Sequence, residues 1–292
     1  MRRAGATWLA LGVATALVIR AAGTNCEAEM ARGFDRAGAR VDISHVRALL
    51  DQPRRLERYD IIGLPGGFSY GDDVASGRVL AMLVRQRLYP ALRAAVERGA
   101  AILGICNGFQ VLAQAGLLPG PDDGLWPASP PTPTIALADN AAGRYEDRWV
   151  GLAVDPDSPC LWTRGMGAAG GTELVLPVGH GEGRLAADGA MVQRLIDSGR
   201  APLRYRQNFN GSAGAIAGVC DASGRVFGLM PHPDRFLDWT RHPHYTRLDK
   251  AALAGHPAPG LRLFINAVQA ASEPPTNPAA APGTTATVPD RS

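Results

Sequence analysis

Two short runs in this chain, DIIGL at 60–64 and AAILGI at 100–105, carry apolar residues on both faces of an extended segment. A strand buries both faces only where helices cover it on each side, which is the setting of a parallel sheet. Such runs recur at Ala16–Arg20, Arg40–Ser44, Asp60–Leu64 and Ala101–Ile105, and helical patterns near 26–37, 78–98 and 107–115 fall between or after them. Alternation of this kind predicts an α/β chain with a single doubly wound, mostly parallel sheet flanked by helices. Beyond a proline-rich loop at 119–133 the pattern changes to strands at Thr134–Leu137, Trp149–Val154, Glu173–Val178, Leu203–Tyr205, Ile216–Cys220 and Val226–Leu229. A closing helix is expected over Leu261–Ala271, and the Pro-, Ala- and Thr-rich segment 272–292 reads as a disordered tail.

Composition narrows the function. With 46% hydrophobic and 20% charged residues in 292, the chain has material for one large core and is no disordered or polytopic membrane protein. A net charge of +3 without a basic cluster gives no reason to expect nucleic acid. Four cysteines, Cys26, Cys106, Cys160 and Cys220, form no C-x-x-C pair, so neither a metal site nor a disulfide framework is expected.

The N-terminus admits two readings. Met1-Arg2-Arg3 before an uncharged stretch to Ile19 has the look of a secretory signal, with Ala14-Thr15-Ala16 as a cleavage pattern. Alternatively, 1–14 is an extension and the domain proper runs over 15–271. Asn25 can then cap a helix whose first turn holds Glu27 and Glu29, and cleavage after Ala16 would cut into the preceding strand. The second reading is preferred, which makes the chain cytoplasmic with no membrane partner.

The chemistry centres on Gly104-Ile105-Cys106-Asn107-Gly108, which follows a buried strand and opens a helix. A strand that turns abruptly into a helix exposes its corner residue, and glycines two positions either side permit close approach there. Cys106 at the helix N-terminus is the expected nucleophile. Pro231-His232-Pro233-Asp234, just after a strand, offers a base and its orienting carboxylate. Residues before proline favour extended backbone, so His232 and Asp234, two apart, are expected to face one site. Gly66-Gly67, after strand 60–64, lies at the same rim of the sheet. The backbone N–H groups of Gly67 and Asn107 are candidates for an oxyanion hole.

GICNGFQ at 104–110, PGGFSYGD at 65–72 and PHPDR at 231–235 together resemble the class I (triad) glutamine amidotransferases, which have a flavodoxin-like fold. Within them the glutaminase subunits of phosphoribosylformylglycinamidine synthase are most similar, sharing GTNCEAE at 23–29, PVGHGEGR at 177–184 and YRQNFNGSAGAIAGV at 205–219. The resemblance runs from about Ala16 to Ala271. It implies a thioester on Cys106, proton transfer by His232 and orientation by Asp234, where the family more often has glutamate. Gln110 matches a position that contacts glutamine. Asn208, Asn210 and Ser212 are assigned to the substrate site or partner face, with a self-satisfying polar turn as the alternative. His180 and Glu182 receive no chemical step.

The resemblance further implies that ammonia passes to a synthetase subunit, with a small bridging subunit in the same complex. ATP and Mg²⁺ are used by that synthetase, and this chain itself binds no cofactor. Two other readings compete: another amidotransferase or cysteine hydrolase of the same fold, and a secreted binding protein without activity.

Overall fold

A computed structural model describes residues 13–166 and 173–272. The expectations for the N-terminal extension and the tail lie outside these residues, apart from Val13, Ala14 and Ser272. In the first half the chain alternates strands and helices: β1 (Thr15–Arg20), α1 (Glu27–Arg36), β2 (Arg40–His45), α2 (Val46–Asp51) and β3 (Ile61–Leu64). It continues through α3 (Arg78–Leu83), α4 (Tyr89–Glu97), β4 (Ala101–Ile105) and α5 (Asn107–Ala115). The second half is richer in strands: β5 (Ala136–Asp139), β6 (Glu146–Val154), β7 (Val175–His180) and β8 (Glu182–Ala186). Then come α6 (Gly189–Asp197), β9 (Leu203–Tyr205), β10 (Ile216–Cys220), β11 (Val226–Leu229), α7 (Lys250–Leu253) and α8 (Pro259–Ser272).

Nine strands form one sheet in the order β2-β1-β3-β4-β11-β10-β9-β6-β7, while β5 and β8 pair separately. From β2 to β11 all neighbours run parallel. From β11 to β7 each strand is antiparallel to the next. The expected doubly wound sheet is therefore present, extended by an antiparallel wing.

The strands show why helices must sit on both faces. A Cβ on Gly63 would strike Met30 Sδ of α1, whereas Leu64, one residue on, meets α5 at Gly108. Successive Cβ atoms point to opposite faces, so α1 and α5 cover opposite sides of β3. α8 joins α1 on its face, where Phe34 and Phe264 meet edge to face with centroids 4.9 Å apart.

Two local expectations need correction. The predicted helix over 78–98 is two helices separated by a π-helical turn at Val84–Leu88. Pro90 explains the break, since it lacks an N–H and its ring crowds the carbonyl four residues back. The cap of α1 is Cys26 rather than Asn25, whose Oδ1 lies 3.3 Å from the Cys26 thiol. Among the described residues no helix is long and apolar enough to cross a membrane. All four cysteines are buried free thiols.

Candidate active site

Cys106 stands at the junction of β4 and α5 with φ 51° and ψ −106°, in the left-handed half of backbone space that non-glycine residues avoid. Its neighbours hold it there. The Cys106 N–H donates to Leu229 O at 2.8 Å, tying the corner to the end of β11. The flanking glycines are sterically required: a Cβ on Gly104 would lie 2.6 Å from Gly108 O, and one on Gly108 would run into Leu64 O.

The sheet order then brings the base. β11 pairs with β4 in parallel, Leu229 opposite Ile105, so the chain leaving β11 passes beside Cys106. His232 is fully buried, and its N–H donates to Pro177 O at 2.8 Å. His232 Nδ1 lies 3.2 Å from Asp234 Oδ1, and His232 lines the same cleft as Cys106, whose thiol is directed at Gly179 O 3.8 Å away. The expected extended backbone is replaced by a 3-10 turn over Pro233–Arg235. That turn delivers Asp234 to the imidazole, and the shorter carboxylate reaches it without the extra methylene of glutamate. Only Oδ1 is used; Asp234 Oδ2 is buried without a hydrogen-bond partner among the described residues.

Burial pushes the His232 pKa down, but the Asp234 charge and hydrogen bond, aided by Cys106, outweigh it and raise the value to about 9. His180, at the end of β7, shows the opposite balance. Burial, reinforced by the charge of His232, lowers it to about 4, so it is neutral. Its tautomer is set by Asn140. The Asn140 amide donates to Arg144 O at 2.9 Å and to His180 O at 2.8 Å, which leaves Asn140 Oδ1 as the acceptor 3.0 Å from His180 Nδ1. Nδ1 therefore carries the proton and Nε2 is an acceptor, buried and unpartnered among the described residues.

These groups share a cleft lined by Cys106, His232, Gln110, His180, Glu182 and Arg235, with Gly67 on its wall. Gly67 has φ +127°, and the loops at 21–25 and 65–68 press together so closely that a Cβ there would lie 2.6 Å from Asn25 N. Gly66 is crowded on its other side, where a Cβ would sit 2.8 Å from His232 Cε1. Among the described residues neither the Gly67 nor the Asn107 N–H is taken up by a protein acceptor.

The Asn107 side chain braces the loop. Its Oδ1 accepts from Ser69 N at 3.3 Å, and its Nδ2 donates to Asp72 Oδ1 and Gln110 Oε1 at 3.2 and 3.1 Å. Gln110 faces the cleft and donates to Glu182 O. Asn208, Asn210 and Ser212 do not line it. Asn208 donates to Ser212 O, Asn210 to Gly183 O, and Ser212 Oγ accepts from Leu185 N, so the turn supports β8 and itself. His180, Glu182 and Arg235 are among the cleft residues that sequence reasoning left without a role. The HGEG segment and the arginine following Asp234 were the signals for them.

A family model for the CobB/CobQ-like glutamine amidotransferase domain matches residues 14–270. The phosphoribosylformylglycinamidine synthase subunit PurQ of Dehalococcoides mccartyi is 40% identical over 261 residues, covering 87% of this chain and 96% of that relative. The PurQ subunit of Novosphingobium aromaticivorans is 41% identical over 226 residues, covering 77% and 89%. Among solved structures, a chain of PurLQS from Thermotoga maritima superimposes with a TM-score of 0.65 at 30% identity, covering 88% of this chain and 99% of that one. A corner cysteine in reach of a carboxylate-held imidazole, on a sheet of this order and in a chain so related, places the protein in one lineage: it belongs to the glutamine amidotransferase family that includes these PurQ subunits.

Proposed function

We propose that this chain is the glutaminase subunit of a phosphoribosylformylglycinamidine synthase, releasing ammonia from glutamine for purine biosynthesis. The observation that carries the reading is the His232–Asp234 pair lining one cleft with Cys106, beside two unclaimed backbone donors. A zwitterionic amino acid needs charges of both signs, and the cleft presents Arg235 and Glu182. Its carboxamide would lie beside Cys106.

Cys106 Sγ passes its proton to His232 as it attacks the carboxamide carbon, and the oxygen that gains charge is held by the Gly67 and Asn107 N–H groups. His232 protonates the departing nitrogen, the C–N bond breaks, and ammonia leaves a glutamyl thioester. His232 then takes a proton from water, whose oxygen attacks the thioester carbon; the C–S bond breaks, the sulfur is reprotonated and glutamate departs. Asp234 holds the imidazole throughout. His180 Nε2, an acceptor with nothing to accept from, positions the carboxamide N–H.

Ammonia is consumed by a synthetase subunit, with a small bridging subunit completing the complex, a reading supported by the similarity to a chain of PurLQS. ATP and Mg²⁺ act on that synthetase, in the cytoplasm, and this subunit contributes no cofactor site. The test is glutamine hydrolysis by the chain alone and with the cognate synthetase, formylglycinamide ribonucleotide and ATP. Stimulation by the full system is expected; hydrolysis indifferent to it would move the assignment to another amidotransferase.

A further inference from the structure

Cys26 takes no part in the reaction above, yet it lies against its machinery. Its Sγ, a ring nitrogen of His232 and a carboxylate oxygen of Asp234 all lie within 4.8 Å of one another. All three residues are buried, at 2, 1 and 3% exposure. We propose that Cys26, His232 and Asp234 form a binding site for a thiophilic divalent cation such as Zn²⁺, and that occupancy withdraws His232 from the Cys106 thiol. No sequence spacing announces this set, because β1, the loop after it and the 3-10 turn after β11 are brought together only by the fold.

The donors are of the right kind. One thiolate, one imidazole and one carboxylate are a set that zinc accepts, with bonds of about 2.0–2.3 Å. Such bonds put ligand atoms roughly 3–4 Å apart, so the three donors must draw closer together to close the site. The second, independent observation is Asp234 Oδ2, buried with no hydrogen-bond partner among the described residues. A carboxylate oxygen in that state lacks a donor or a cation.

Access and selectivity follow from the surroundings. Asp234 and Arg235 also wall a surface cleft with Glu29, Arg32, Arg36 and Arg241. Arg235 Nη2 donates to Cys26 Sγ at 3.4 Å, and it must swing into this cleft to admit an ion. The guanidinium groups repel all cations alike. A hard ion such as Mg²⁺ gains too little from one carboxylate to overcome them, whereas a soft ion gains a sulfur bond. Binding releases two protons to water, one from the Cys26 thiol and one from the His232 ring, and leaves the Cys106 thiol outside the coordination set. The loss of activity that follows rests on the glutaminase reading; the binding does not.

The reduced full chain is titrated with Co²⁺ as a spectroscopic stand-in, and folding of each variant is checked by circular dichroism. One equivalent should produce a sulfur-to-cobalt charge-transfer band that survives in Cys106→Ser and disappears in both Cys26→Ser and Cys26→Ala. Asp234→Asn should weaken binding at least tenfold, and Mg²⁺ in excess should not compete. In a parallel assay Zn²⁺ should inhibit glutaminase activity of the wild type, with the inhibitory concentration raised at least tenfold in Cys26→Ser. A band lost in Cys106→Ser, kept in both Cys26 variants or absent from the wild type overturns the proposal. A band with the expected pattern in a chain that never hydrolyses glutamine would instead overturn the function and leave the site standing.

Discussion

Gly66 stands so close to His232 that a methyl group in place of its hydrogen would lie 2.8 Å from the imidazole Cε1. Gly66, unlike Gly67, has no left-handed φ, so alanine is permitted there by the backbone and only the imidazole objects. Gly66→Ala should therefore displace His232 while leaving the Cys106 corner intact. Overpacking of this kind destabilises by about 1–3 kcal/mol. Glutamine turnover is expected to fall at least tenfold, with Cys106 still alkylated by iodoacetamide. Unchanged turnover would mean that His232 yields without consequence.

Replacement of the nucleophile is the bluntest test. Cys106→Ala should abolish ammonia release from glutamine in the presence of the synthetase system, with thermal stability preserved. Full activity would refute the thioester route. With free ammonia supplied instead of glutamine, the synthetase should still turn over in complex with the variant.

The orienting carboxylate acts through another group, so its loss should be milder than that of the nucleophile. Asp234→Glu is expected to stay within about tenfold of wild type, since it keeps a carboxylate beside the His232 ring. Asp234→Ala should lose more, chiefly in kcat. Equal losses in the two variants, measured by steady-state kinetics, would show that the carboxylate does no orienting.

His180 offers a case where burial, not charge, sets the function. Its Nδ1 proton is committed to Asn140 Oδ1 at 3.0 Å, leaving Nε2 as a bare acceptor in the cleft. His180→Phe keeps much of the volume and removes the acceptor. One buried hydrogen bond of about 1–3 kcal/mol corresponds to roughly five- to 150-fold in kcat/KM for glutamine. The neutral state down to a pKa of about 4 predicts that this contribution is flat with pH across the neutral range.

The sheet and the triad were legible in the sequence for the same reason: each depends on residues whose local pattern dictates geometry. Continuous apolar runs mark β3 and β4, and G-x-C-x-G marks the corner because Gly104 has no room for a Cβ against Gly108, and Gly108 none against Leu64. The pairing of His232 with Asp234 was legible as proximity, but its backbone was not, since the 3-10 turn competes with the extended preference before proline. The short strand β8 and helices α2 and α6 escaped because their apolar periodicity spans few residues. Cys26 and His180 escaped for a different reason. Their roles follow from neighbours more than 35 positions away, Asp234 and Asn140, and no local pattern encodes a tertiary contact.

The charge state of His232 makes stability depend on pH in a direction that can be checked. Its folded pKa of about 9 lies above the ordinary 6.5, so the folded state binds a proton more tightly than the unfolded chain does. The resulting stabilisation is fully present below about 6.5, declines as pH rises and is gone above about 9. Its ceiling is on the order of 3 kcal/mol. Asp234→Asn removes the charge that raises the pKa and leaves burial, which acts the other way, so this contribution should reverse sign and favour the folded state more as pH rises. Urea denaturation of both proteins at about pH 6 and pH 10 isolates the effect, because the other titrating groups are common to both. The stability advantage of wild type over Asp234→Asn is expected to shrink between the two. An advantage that stays constant across that window would show that Asp234 does not hold the imidazole protonated.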